Sequence, residues 1–218
     1  MLWLGFLLTI WLIQTSLNLL AKSNAETYNA NLSSVFSLVQ AIQAATVVYF
    51  IASFVLRFAF PSFSMEKKTA WIIASAPLSL SSLFWAKFLF YGVIFGALGV
   101  LTGVLNAFAL PFSVAGSLFV FIAAAIIFLT ALGITLGALF PNFETDDPET
   151  LSTTLPGLAF IMLAFLYGAG GAWIIYNAFA SGTPFALLLF EAASLIGAVI
   201  LSVIGARSLK RVEFVAVR

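Results

Sequence analysis

The chain of 218 residues contains no histidine and no cysteine, and only 8% of its residues are charged. Without thiols there are no disulfides and no thiolate nucleophiles. Without imidazoles the usual general base is missing, and so is the usual ligation of zinc, copper and haem. Nine basic and eight acidic side chains leave a net charge of +1, too little for the electrostatic footprint of a nucleic-acid binder. So few ionisable groups cannot coat a soluble domain, in which roughly a quarter of residues are charged. What is present is apolar: 63% hydrophobic residues and a mean hydropathy of +1.16.

Apolar runs of bilayer-spanning length, about 20 residues, fall at 1–20, 35–60, 88–110, 116–140, 156–178 and 185–206. The pattern predicts an all-α polytopic membrane protein with six transmembrane helices in a single domain over 1–218. The breaks between them are a polar stretch at 21–34, a long one at 61–87, Pro111-Phe112-Ser113, an acidic stretch at 142–155 and Ser181-Gly182-Thr183-Pro184. Arg57, Lys67, Lys68 and Lys87 flank the second break, and Arg207, Lys210, Arg211 and Arg218 fill the tail, leaving only Lys22 on the other side. The positive-inside rule then places both termini in the cytoplasm. Read as a secretory signal with Ser23-Asn24-Ala25 as its cleavage site, 1–20 lacks a basic leader and is long. The same shortage of basic residues raises the expectation of a longer protein or a split partner.

Within the second break, Met65, Thr69, Ile72, Ile73 and Ala76 recur at helical spacing while Glu66, Lys67 and Lys68 lie off that face, until Pro77 ends the pattern. This predicts a short helix on the cytoplasmic membrane surface, with Trp71 and Trp85 as anchors. On these residues the chain resembles a family. The strings Phe60-Pro61-Ser62-Phe63-Ser64-Met65-Glu66, Trp71, Ser75-Ala76-Pro77-Leu78-Ser79 and Trp85-Ala86-Lys87-Phe88 are similar to the second cytoplasmic loop of type-2 ABC exporter permeases. Leu139-Phe140-Pro141-Asn142-Phe143-Glu144 and Asp147-Pro148-Glu149 resemble the acidic loop after the fourth span of those proteins.

The resemblance, to the C-terminal six-helix half of such a permease, implies a transport subunit that is not itself an enzyme and binds no cofactor. Its partners would be an ABC-type ATPase subunit holding ATP and Mg²⁺, and a second permease half, fused, separate or another copy. Residues from Glu66 to about Ala76 become a coupling helix, with Glu66, Lys67, Lys68 and Trp71 touching the ATPase, and the location becomes the plasma membrane. The absence of any G-x-x-x-x-G-K-[ST] loop agrees with an ATPase in another chain.

Polar groups inside the spans are candidates for a translocation path. Gln40, Gln43, Thr46, Tyr49, Ser53 and Arg57 fall within about half the circumference of one helix at about 100° per residue, and interhelical hydrogen bonding explains such a face equally well. Glu191 is the one acid inside a span, sharing a face with Ser194, Ala198 and Ser202; an intramembrane carboxylate is a functional candidate by default. Gly92 and Gly96, Gly99 and Gly103, and Gly133 and Gly137 are spaced for close helix approach, and Gly168-Ala169-Gly170-Gly171 reads as a helix break or a packing point. The acidic cluster Glu144, Asp146, Asp147 and Glu149 reads first as a solvated cap. It also keeps open a membrane-embedded enzyme acting on lipid or isoprenoid phosphates through a divalent metal. A non-transporting scaffold subunit is the third reading.

Overall fold

The computed structural model describes residues 30–69, 80–142 and 147–209. The first expected span, 1–20, lies outside them, as do Lys22, Trp71, Glu144, Asp146 and the basic residues after Leu209. Every regular element among the described residues is helical. In a chain so poor in polar side chains the helix satisfies each backbone N–H and C=O within its own segment, which a lipid environment demands. The long helices are α1 (Ala30–Phe54), α2 (Leu80–Ala109), α3 (Phe112–Leu139), α5 (Leu155–Ser181) and α6 (Phe185–Ser208), with a five-residue α4 (Pro148–Ser152) before α5. Five helices are long and apolar enough to cross a membrane; the sixth of the expected set is the run at 1–20.

The ends of these helices follow from the sequence. Leu110 N–H donates to the Asn106 carbonyl at 2.8 Å, and Pro111 then has no N–H with which to continue α2. The Pro111 carbonyl instead accepts from Ala115 N–H at 3.0 Å and starts α3. Pro156 sits in the first turn of α5, where its missing donor costs nothing. Gly182, at φ +68°, makes the left-handed turn that closes α5.

After Phe54 the α1 chain widens into a π-helical turn, Val55–Ala59, in which Phe60 N–H reaches back to the Val55 carbonyl. It then tightens into 3₁₀ turns at Phe60–Ser62 and Ser64–Thr69. The expected surface helix from Glu66 to Ala76 is therefore a 3₁₀ turn over its first residues, and 70–79 lie outside the described residues.

The chain divides into two compact units: one of Met1–Phe50, Gly96–Ile126 and Phe165–Ser194, the other of Ile51–Phe95, Ile127–Ala164 and Leu195–Arg218. The first is built around aromatic rings. Phe121 stacks on Tyr167 and Phe190 with centroids 6.4 and 6.0 Å apart, and a Cβ at Gly171 would meet both Phe121 and Phe190. The second closes by backbone approach: a Cβ at Gly137 would collide with the Phe60 carbonyl, and one at Gly133 with Val55. Helix α5 runs unbroken through Gly168–Gly171, so that cluster packs, with the Tyr49 ring against Gly168, and does not break the helix. Gly99 and Gly103 face Ile126 and Phe119, whereas a Cβ at Gly92 or Gly96 would meet nothing within 4 Å.

Candidate functional site

In the second unit the turns at 61–69 are tied to α2. Lys87 lies about a quarter of the way along α2 and places its Nζ 2.7 Å from Glu66 Oε1. The same ammonium donates to the Ser62 carbonyl at 2.8 Å and sits 4.9 Å above the Phe63 ring. Both charged side chains are mostly buried, at 14% and 25% exposure. Pairing of this kind is what lets a lysine lie inside so apolar a helix. It also explains why α2 begins at least eight residues before the expected 88: Lys87 belongs to the helix and does not stop it. Glu66, expected to touch an ATPase, pairs here with Lys87. The backbone of Lys67 and Lys68 belongs to the same 3₁₀ turn, and their side chains, like Trp71, lie outside what is described.

Two further contacts knit this unit. Ser64 Oγ accepts from Asn142 N–H at 3.1 Å, joining the 61–69 turns to the end of α3. Arg57, on the π turn, reaches Glu149 of α4 at 3.6 Å with both side chains exposed, a contact of the weak surface type. Asp147 caps α4 as the sequence leads one to expect: its carboxylate accepts from Glu149 N–H at 3.1 Å and from the Thr150 hydroxyl at 2.9 Å. The Glu149 amide, with help from Thr150, holds the Asp147 carboxyl below the usual carboxylate range. Asp147 and Glu149 are thus occupied as a cap and a surface ion partner. Among the described residues no group of three or more acids could hold a metal ion.

In the first unit, Gln40, Gln43 and Thr46 are buried on α1. Gln43 Nε2 donates to Asn106 Oδ1 at 2.7 Å, a bond between α1 and α2, and Thr46 donates to the Ile42 carbonyl at 2.8 Å. Tyr49 donates to the Phe165 carbonyl at 3.2 Å and stacks on the Phe165 ring at 5.7 Å. Ser53 and Arg57, in the second unit, are exposed. The six residues of the expected polar face therefore do not share one environment. The first three bury their polar atoms in helix packing, and Asn106, which completes the Gln43 bond, carried no signal of its own in the sequence.

Glu191 has a different setting. It is only 5% exposed, and its Oε1 has no hydrogen-bond partner among the described residues. It lines a partly open cavity of about 330 Å³ whose other walls include Phe112, Ser113, Gly116, Ser117 and Leu187. One turn further on, Ser194 accepts a hydrogen bond from the Tyr167 hydroxyl at 3.1 Å. The face shared with Ser194, Ala198 and Ser202 is buried throughout. The cavity itself was not legible in the sequence, because its walls come from the start of α3 and from residues 184–191.

A family model described as "Putative ATP-binding cassette" matches residues 2–201, while no curated protein and no solved structure matches the chain. This corrects the resemblance to type-2 ABC exporter permeases and the permease-subunit function drawn from it: the family found is described as an ATP-binding cassette. The resemblance rested on short strings of common residues. Such strings separate one component of an ABC system from another poorly, and 70–79, which carried much of them, lie outside the described residues. The two other readings, a lipid-phosphate enzyme and a passive scaffold, find no support either. With the match running from the second residue to residue 201 of 218, the chain belongs to this ATP-binding cassette family.

Proposed function

We propose that the chain works as a membrane-embedded member of an ATP-binding cassette assembly, and that the ATP and Mg²⁺ of that assembly are held by a separate chain. One observation carries this reading. The family match covers 2–201, a stretch that takes in four of the five membrane-length helices among the described residues and most of α6, and it contains no G-x-x-x-x-G-K-[ST] loop with which to cradle a nucleotide. The basic residues around 57–87 and in the tail favour the cytoplasmic side of the plasma membrane for those segments. A chain that engages the 64–69 turn would pull on α2 as well, because Lys87 grips Glu66 and the Ser62 carbonyl together. Energetic coupling needs a contiguous contact of this kind.

The family description favours a second reading, in which this chain binds the nucleotide itself. Photolabelling with an azido-ATP separates the two, using the tagged chain extracted from its native membrane in mild detergent and its co-purifying proteins. Label and ATPase activity on a co-purifying polypeptide are the expected result. Label on the 23.4 kDa chain, purified alone and competed by ATP, would overturn the first reading in favour of the second.

A further inference from the structure

We propose that the cavity beside Glu191 is a binding site for a primary ammonium group carried on an apolar body. The site goes beyond the ATP-binding cassette role and does not rest on it. The first premise is the carboxylate: Glu191 is buried, at 5% exposure, and one of its oxygens has no hydrogen-bond partner among the described residues. A buried charge without a partner is among the costliest features a fold can carry, so an acid kept in this position is matched by something that enters. Glu191 lines the cavity, and a carboxylate there takes an N–H donor as well as a positive charge.

The second premise is the wall. Besides Glu191 the lining is Ser113, Ser117 and otherwise carbon, including Phe112, Val120 and Leu187. Ser117 already donates its hydroxyl to the Ser113 carbonyl at 3.0 Å. An inorganic cation needs several oxygens to replace its water, and one carboxylate with two hydroxyls falls short. Carbon walls instead suit an alkyl or aryl group, and the Phe112 ring among them suits a cation. The volume of about 330 Å³ lies in the range of small-molecule sites, roughly 300–1,000 Å³. A single carboxylate sets the ligand's charge at one.

The shared chemistry has two sources, a soluble amine or the ethanolamine headgroup of a lipid. The test is isothermal titration of benzylammonium into the full chain in a maltoside detergent, which itself carries no ammonium. The expected result is one saturable site that weakens at least tenfold in Glu191→Gln, and at least tenfold in Gly116→Leu. Gly116 lines the cavity and a Cβ there meets nothing within 4 Å, which leaves room for a larger side chain to intrude. Benzyltrimethylammonium, with no N–H to donate, is expected to bind more weakly than benzylammonium. Competition by glycerophosphoethanolamine but not by glycerophosphoglycerol would support the site with a lipid source, and its absence would support it with a soluble one. No saturable benzylammonium binding by the wild-type chain, or identical isotherms for wild type and both variants, would overturn the proposal.

Discussion

The two compact units treat their buried charge in opposite ways. In the second, Glu66 and Lys87 meet at 2.7 Å and a glycine lets α3 rest against the Phe60 backbone. In the first, Glu191 keeps an oxygen without a partner, and Gly116 looks onto open space beside it. Both interiors are made mainly of alanine and branched aliphatic residues, and that shared background does not set them apart. What differs is the carboxylate: Glu66 has a counter-ion and Glu191 keeps an oxygen without a partner, and a buried acid left so calls for an explanation.

Four changes would break or sharpen this contrast. The largest loss is expected for Lys87→Met, which leaves Glu66 partly buried and alone and strips the Ser62 carbonyl of its donor. The cost is about 3 kcal/mol, at the low end for breaking a buried pair because both groups keep some contact with solvent. Thermal unfolding in detergent should show it, with Lys87→Met/Glu66→Gln recovering part of the loss. Next comes Gly137→Ala, whose Cβ would strike a carbonyl that cannot swing aside. About 2 kcal/mol of destabilisation is expected, against no loss for Gly116→Ala in the open cavity; equal melting points for the two variants would erase the distinction between the units.

A smaller effect belongs to Gln43→Leu, which leaves Asn106 Oδ1 buried without its donor. About 1–2 kcal/mol is expected, and Gln43→Leu/Asn106→Leu should restore much of it in a double-mutant cycle. The smallest is a pH effect at Asp147. Its folded carboxyl titrates below its unfolded value, so the cap's contribution is complete above the ordinary carboxylate range. That contribution disappears as pH falls through the folded value. The protection factor of the Glu149 amide, its exchange rate set against the intrinsic rate at the same pH, should fall over that acidic window and at no higher pH.

Much of the helical layout is legible in the sequence because it depends on run length and on proline and glycine punctuation. The expected 116–140 and 185–206 lie within a few residues of α3 and α6. The start of α2 is not legible: Lys87 looks like the end of a loop until Glu66, twenty-one positions earlier, is seen beside it. Spacing shows the same limit with glycine. Gly92 and Gly96 repeat the pattern of Gly133 and Gly137, yet only the second pair has a neighbour to receive. At the candidate site, Glu191 stood out as an acid in an apolar run. The cavity needs Phe112 and Gly116 brought across from another helix, which no local pattern announces. The family itself was misread from loop strings whose residues are too common to discriminate.

The π turn at Val55–Ala59 carries a consequence for comparing this chain with any other. A wide turn of this kind takes up about one residue more than an α-helix would use, and it does so without a loop. Position and helical face therefore fall out of step there. A count of about 100° per residue begun at Gln40 overshoots once it passes Val55, which puts Arg57 off the face to which arithmetic assigned it. Where a homologous chain is one residue shorter, the gap belongs inside 55–59, in the middle of an apolar segment, and shifting it to the polar stretch after Phe63 would misalign every position between.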